Sequence, residues 1–249
     1  MSTKGFSIIE KISIPSIKHC LIGMPDTGLT GMIAVSHIIQ SLDLKEVGHF
    51  ESELLPPVIV IHKGEPKRPV RIFGNENLVA ITSETPLNSA SMYPMAESII
   101  KWVNEKKIEL LITVSGLATQ NRMEIQNPIV YGVSTSNDKE QIFNKAGIQL
   151  LKEGFMVGPN ALILKECMAK NLQNIVLLAQ SHLQYPDPGA AAAAINSLNK
   201  LLDISVDVQK LLSQAEEIRL KTRELMQRTT KSLQGMEKSQ ELELPAMYG

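Results

Sequence analysis

Two aspartates stand in turns where carboxylates could carry out acid–base chemistry. Asp26 lies in the stretch GMPDTGLTG at residues 23–31, and Asp187 lies in YPDP at residues 185–188. Each follows a short apolar run that is typical of a buried strand. The carboxyl ends of parallel strands meet at one edge of a sheet, where α/β folds bind ligands. Asp26 and Asp187 could therefore form the acid–base pair of a small-molecule hydrolase or phosphorylase-like enzyme.

Both aspartates also have a structural interpretation. Asp26 is suited to a turn, and turn-forming aspartates are common. Asp187 precedes Pro188 and an alanine-rich stretch. Proline is favoured in the first turn of a helix, and a carboxylate there interacts well with the helix N-terminus. The alternative to acid–base chemistry is that each aspartate only shapes the backbone.

The glycines of residues 23–31 offer a second candidate for ligand binding. A glycine-rich turn between a strand and a helix can hold a phosphate on exposed N–H groups, here with Asp26, Gly28 and Gly31. The stretch lacks the Lys-Ser/Thr ending of a P-loop, and its glycines are not spaced as in the dinucleotide fingerprint. Without a ligand, the glycines would serve tight turning and close helix–sheet contact.

The remaining reactive residue types form no pattern of an active site. Ser115 precedes Gly116, but residue 113 is Thr and residue 117 is Leu, so the Gly-x-Ser-x-Gly frame is absent. The five histidines are scattered without an HExxH motif or a Cys/His cluster. Cys20 and Cys167 form no CxxC pair, and Cys20 sits in an apolar run that favours the core. We expect no metal and no cofactor.

Composition narrows the classes of partner. The 249 residues carry 25 Lys and Arg against 26 Asp and Glu, a net charge of −1, and aromatics make up 4%. Neither a basic footprint nor a supply of stacking rings is present, so nucleic acid is not expected as a partner. No signal peptide begins the chain, and no apolar stretch reaches the roughly 20 residues of a membrane span. We expect a cytoplasmic protein without membrane contact.

The hydrophobic pattern predicts an α/β fold. Short apolar runs, buried on both faces, are expected in an open, mostly parallel sheet covered by helices, as in phosphorylases and hydrolases. Strands are predicted at residues 18–24, 58–62, 70–73, 78–82, 110–114, 129–134 and 175–179, with a hairpin loop at 66–69, and helices at 28–42, 93–103, 141–152, 162–170 and 190–202.

Beyond Asp203 the pattern changes to that of one long helix. No Gly or Pro occurs until Gly235, and apolar or small residues recur alternately three and four apart, a seam whose second half turns polar. A helix over residues 207–238 would measure about 48 Å, which predicts that it projects from the body. The predicted organisation is a body at 1–203, a long helix at 204–238 and a flexible tail at 239–249. The seam residues are Val208, Leu211, Ala215, Ile218, Thr222, Leu225, Thr229, Ser232 and Met236.

Four stretches in a fixed order resemble a known family. They are GMPDTGLTG at 23–31, SGLAT at 115–119, PDPGAA at 186–191 and ISVDV at 204–208. Together they resemble the proteasome assembly chaperone family of the second type, in its archaeal branch. The resemblance spans most of residues 5–215. It implies an α/β body related to nucleoside-phosphorylase-like folds, assembly as a homo-oligomer and no known enzymatic chemistry.

The last three residues, Met247, Tyr248 and Gly249, look like the hydrophobic-Tyr-any motif with which proteasome activators dock between α-ring subunits. The resemblance implies a non-enzymatic, ATP-independent assembly chaperone or activator that binds the α-subunits of the 20S proteasome through its tail. Three alternatives stay open at this point. They are a terminus with an accidental Tyr, the enzyme that uses Asp26 and Asp187, and a structural oligomer whose long helix forms a coiled coil.

Overall fold

A nine-stranded sheet forms the centre of the computed structural model, which describes residues 5–14 and 17–234. The strand order is β1-β3-β6-β7-β2-β8-β11-β9-β10, and β4 and β5 form a separate hairpin. The strands are β1 (Ser7–Glu10), β2 (His19–Gly23), β3 (Lys45–Glu51), β4 (Val60–His62), β5 (Glu65–Lys67), β6 (Val70–Gly74), β7 (Leu78–Ser83), β8 (Leu110–Ala118), β9 (Val130–Ser134), β10 (Gln149–Leu150) and β11 (Gln173–Ser181).

The middle of the sheet is parallel. β2 pairs in parallel with β7 on one side and β8 on the other, and β8 pairs in parallel with β11. The flanking strands β6, β3 and β1 run antiparallel to their neighbours, as does β9 beside β11. The predicted α/β fold with an open, mostly parallel sheet is confirmed, with antiparallel strands at its flanks.

Helices cover the two faces of this sheet and bury two aliphatic clusters. One face packs against α1 (Thr30–Ser41), α3 (Lys139–Ala146), α5 (Pro188–Leu202), α6 (Gln209–Ser213) and α7 (Ala215–Gln234). The other face packs against α2 (Ser89–Glu105) and α4 (Pro159–Lys170). The alanines of α5 allow close packing against α1, since Ala190, Ala191 and Ala194 are fully buried. Continuous apolar strands are explained by this double cover.

The C-terminal helix is long, as predicted, and its seam contacts the body of the same chain. Ile218, Thr222 and Leu225 are half-buried, while Met226 and Thr229 are buried. The prediction that the helix projects does not hold for α7, because this face packs on the α/β body as far as Ser232. The Ser232 hydroxyl donates a hydrogen bond to the Leu87 carbonyl oxygen at 2.7 Å.

Two threonines in the second half of this seam satisfy their hydroxyl groups within the helix. The Thr222 and Thr229 hydroxyls donate to the carbonyl oxygens one turn earlier, at 2.7 and 2.8 Å. Hydroxyls bonded in this way need no partner on the body. A seam that becomes polar in sequence can therefore still pack against the body.

Met226 is expected to anchor α7. Its side chain is 1% exposed. Met226→Ala should lower the free energy of unfolding by about 2–5 kcal/mol, because it leaves a cavity under the helix. Urea denaturation measures this change. Leu220→Ala on the same helix, where the side chain is 66% exposed, should change stability by no more than about 0.5 kcal/mol. Equal losses for the two variants would contradict the docked position of α7.

Candidate functional site

The carboxyl ends of the parallel strands bring the predicted aspartates to one edge of the sheet. Asp26 follows β2, and Asp187 follows β11 just before α5. Three further polar residues join them here: Ser115 on β8, Arg122 beyond β8 and Asn160 at the start of α4. We call these five residues the strand-end cluster. All five are buried, with exposed fractions of 8% or less.

Asp26 is completely buried and holds two elements together. Its Oδ2 accepts a hydrogen bond from Ser115 Oγ at 2.6 Å and another from Asn160 Nδ2 at 3.2 Å. Ser115 lies on the neighbouring strand, whereas Asn160 lies on a helix 134 residues further along the chain. The Asp26 carboxylate thus connects the turn after β2 to β8 and α4. The Ser115 hydroxyl is committed to this carboxylate, with no histidine in the cluster to act as its base.

Asp187 forms a buried ion pair with Arg122. The two side chains meet at two points, with Arg122 Nε 2.8 Å from Asp187 Oδ2 and Nη2 3.0 Å from Oδ1. The same carboxylate accepts hydrogen bonds from the backbone N–H groups of His182 at 3.1 Å and Ala190 at 2.9 Å. The second of these caps α5, as the structural interpretation of Asp187 predicts.

The two carboxylates have separate partners. Asp26 accepts hydrogen bonds from Ser115 and Asn160, whereas Asp187 is bound by a guanidinium group and two amides. Acid–base catalysis needs a carboxylate that can exchange a proton with a substrate, but the Asp187 carboxylate is occupied on both oxygens. The strand-end geometry therefore favours positioning of the backbone over the acid–base pair.

The glycines of residues 23–31 allow the backbone to approach its neighbours closely. Gly28 has φ of 61°, in the left-handed region, and a Cβ on it would lie 2.0 Å from Ser181 Oγ. Gly31 is the second residue of α1, and a Cβ there would lie 2.0 Å from the backbone oxygen of Val114. The turn is pressed against β8 and β11, with its residues buried. Close helix–sheet contact thus accounts for both glycines, as the structural alternative predicts.

Gly31→Ala should destabilise the fold, although alanine usually favours a helix. The added Cβ meets backbone rather than a movable side chain, so α1 must shift away from β8. We expect a loss of roughly 1–3 kcal/mol, typical of overpacking, in the free energy of unfolding. Denaturant titration measures it. Ser41→Ala at the exposed end of α1 is the matched control and should change stability little. A neutral Gly31→Ala variant would contradict the close contact.

A cavity of about 50 Å³ lies beside Asp26, Ser115 and Asn160, with residues 151–157 forming its outer wall. Binding sites for small organic ligands typically measure roughly 300–1,000 Å³. On the other side of the turn, Thr229 and Ser232 of α7 line a narrower cleft with Pro25 and Pro159. The edge where comparable sheets bind ligands is therefore largely filled by the chain itself.

The two cysteines and His182 are held in environments that disfavour their charged forms. Cys20 and Cys167 are buried, as predicted for Cys20, and burial raises the pKa of the Cys167 thiol to about 12. A thiol with so high a pKa is a poor nucleophile at neutral pH. Burial lowers the pKa of His182, although the negative charge of Asp187 acts in the opposite direction. The net lowering favours a neutral imidazole. Across residues 5–14 and 17–234 no three His, Cys, Asp or Glu side chains are grouped as for a metal ion.

Sequence reasoning missed Asn160 and Arg122. Asn160 carries a local signal, since the stretch Gly158-Pro159 places it in the first turn of a helix that follows the sheet. Arg122 carries none, because its partner Asp187 lies 65 residues away in sequence. Both roles depend on strand order, which the residue pattern does not specify.

The comparisons with known proteins agree with this architecture. The model of the PAC2 family matches residues 20–226. The chain belongs to the PAC2 family. The matched residues run from β2 to the middle of α7, so they contain the whole strand-end cluster.

Individual PAC2 relatives are similar over nearly the full length. An uncharacterized protein of Methanocaldococcus jannaschii is 29% identical over 232 residues, which cover 92% of this chain and 94% of that one. The crystal structure of PbaA of Pyrococcus furiosus, an archaeal homolog of proteasome-assembly chaperone, superimposes with a TM-score of 0.84 at 25% identity, covering 91% and 99% of the two chains. PbaB of the same organism, an archaeal proteasome activator, shares the fold with a TM-score of 0.74 at 22% identity, covering 90% and 99%.

One of the sequence predictions concerns a region that this PAC2 fold does not test. Met247, Tyr248 and Gly249 lie outside the described residues and beyond the family match. Among the residues that the structure describes, no helix combines the length and the apolar character that crossing a membrane requires.

Proposed function

We propose that this PAC2 protein is a non-enzymatic, ATP-independent proteasome assembly chaperone or activator of archaeal type. Its partner is the α-ring of the 20S proteasome, which it binds through its C-terminal tail as a homo-oligomer. The sequence contains no Walker motif with which ATP could drive the process. The names of PbaA and PbaB support this class of function, since both proteins share the fold.

One observation carries the proposal. The C-terminal helix α7 packs beside the turn after β2, where Thr229 and Ser232 line a cleft with Pro25, and it is fixed to the body at Ser232. The fifteen residues beyond Gln234 therefore start from a fixed point, and at full extension they span roughly 50 Å. Such a span is long enough to deliver a terminal carboxylate to a partner much larger than this chain.

The chemistry of the last three residues suits a socket between two subunits. Gly249 offers a free carboxylate to a lysine and to backbone N–H groups, a recurring mode of terminus recognition. Tyr248 supplies a rigid ring that is apolar along its sides and polar at its tip. Met247 adapts its shape to an apolar hollow. A single tail binds weakly, and several tails on one oligomer multiply the affinity by roughly 10² to 10⁴.

The experiment is a pull-down of 20S particles by the intact protein and by a chain that lacks residues 247–249. Stimulated cleavage of a fluorogenic peptide gives a second readout. We expect binding and stimulation only with the intact protein. Equal capture by both chains would contradict the tail mechanism. Turnover of a small molecule, abolished by Asp26→Asn, would support the enzyme instead.

A further inference from the structure

The hairpin of β4 and β5 presents an unpaired strand edge. Within residues 5–14 and 17–234, these two strands pair only with each other. Ile59 is 50% exposed and Ile61 is 62% exposed. An exposed apolar strand with unpaired backbone groups is a site at which another strand can add.

Pro66 determines which edge of the hairpin can accept a strand. Ile61 lies directly opposite Pro66, which has no N–H group. Opposite residues in an antiparallel pair either exchange two hydrogen bonds or none. The Ile61–Pro66 pair must be of the second kind, so the N–H and C=O of Ile61 point away from β5. The outer edge of β4 is therefore competent to pair, whereas Pro66 interrupts the outer edge of β5.

The opposite face of the hairpin is fixed to the main sheet. His62 Nε2 lies 2.9 Å from Glu84 Oε1 and 3.0 Å from Arg71 Nη2. Arg71 in turn forms an ion pair with Glu84. Because successive side chains point to opposite faces of a strand, anchoring His62 turns Ile59 and Ile61 outward. The edge of β4 is thus held in place before any partner arrives.

We propose that residues 240–244 of the same chain, Gln-Glu-Leu-Glu-Leu, add to β4 as a third strand. Leu242 and Leu244 alternate with Glu241 and Glu243, the period of a strand with one apolar face, and Pro245 ends the stretch. The leucines cover Ile59 and Ile61, and the glutamates face the other side. The cations beside the hairpin contribute little to this pairing, because Lys67 already pairs with Glu65 and Arg68 with Glu51.

The chain can reach the hairpin from the end of α7. Ser232 is hydrogen-bonded to Leu87, which lies three residues beyond Glu84, and Glu84 contacts His62 of β4. The eight residues from Ser232 to Gln240 span up to about 26–29 Å. The path from Ser232 to β4 consists of the contact with Leu87, the three residues back to Glu84 and the contact of Glu84 with His62. A span of this length is sufficient for that path.

Docking of this strand would restrain the end of the chain. Only residues 245–249 would extend past the hairpin, with a reach of roughly 17 Å in place of 50 Å. If the proposed function holds, the docked strand holds back Met247, Tyr248 and Gly249, and its release lets them reach a partner. The docking itself does not depend on the proteasome.

Amide hydrogen exchange at Ile61 tests the docking in three chains: the full chain, a chain that ends at Leu244 and a chain that ends at Ser239. The Ile61 N–H should exchange at least tenfold more slowly in the first two chains than in the third. Leu242→Asp with Leu244→Asp in the full chain should remove the protection. The chain ending at Leu244 lacks the terminal motif, so it separates failure of docking from failure of proteasome binding.

Two results would overturn the proposal. One is an equal exchange rate at Ile61 in all three chains. The other is protection that disappears when the full chain is diluted a hundredfold, which would assign the edge of β4 to a second copy of the chain. Protection that is independent of concentration and lost only with residues 240–244 supports docking within one chain.

Discussion

Removal of residues 247–249 is expected to reduce binding to 20S particles by at least a hundredfold. The loss is large because the deletion affects every tail of the proposed oligomer at once, and the gain in affinity from several tails is roughly 10² to 10⁴. The deletion leaves residues 5–14 and 17–234 unchanged, so the stability of the α/β body should not change. Surface-immobilised 20S particles and urea denaturation measure the two quantities separately.

A chain lengthened by one alanine after Gly249 is a sharper variant. It keeps Met247 and Tyr248 but moves the carboxylate by one residue, so a socket that binds the terminus should lose most of its affinity. Ala246→Ser, just before the motif, is the control and should bind normally. Unchanged binding by the lengthened chain would show that the carboxylate is not recognised and would leave the side chains alone as the contact.

The variant Arg122→Met is expected to cost about 3–5 kcal/mol in the free energy of unfolding. It removes one partner of a buried ion pair and leaves the Asp187 carboxylate, 1% exposed, without its cation. For a chain of this size the loss corresponds to a fall in melting temperature of about 6–20 °C. Calorimetry or thermal denaturation measures the fall.

An exposed arginine that also forms an ion pair serves as the control, because it distinguishes the loss of a charge from the loss of a buried charge. Arg219 pairs with Glu216 at 3.4 Å on the exposed face of α7. Arg219→Met should change stability by no more than about 1 kcal/mol, because exposed ion pairs contribute little. Arg122→Lys should fall between the two, since lysine keeps the charge but cannot make both contacts of the guanidinium group. If Arg122→Met and Arg219→Met are equally stable, the Arg122–Asp187 ion pair does not hold the segment after β8 to the start of α5.

The sequence was sufficient to predict the parallel centre of the sheet but not its flanks. β2, β8 and β11 are continuous apolar runs, because helices bury both of their faces. β3 has the sequence KEVGHFE, in which Glu46 pairs with Lys11 and His49 Nε2 lies 3.4 Å from Glu51 Oε1. Such a strand lacks the apolar signal, and so does β5, whereas β1 is only four residues long. Residues 65–67, partly assigned to a loop, form β5 of the separate hairpin.

The candidate site shows a similar limit. Asp26 and Asp187 were predicted to reach the same edge because each follows a strand of the parallel centre, and both lie there. Their partners Asn160 and Arg122 are far away in the sequence, and only the strand order brings them close. The position of α7 was not predicted either. The spacing of its seam residues predicts which face of the helix is buried, but it does not predict which surface that face packs against.

The position of α7 has a consequence for biosynthesis. The turn that follows β2 leaves the ribosome long before the helix that covers it. Contacts between such distant segments form slowly and only after most of the chain is available. A nascent or prematurely terminated polypeptide that lacks α7 therefore leaves the turn after β2 without its cover.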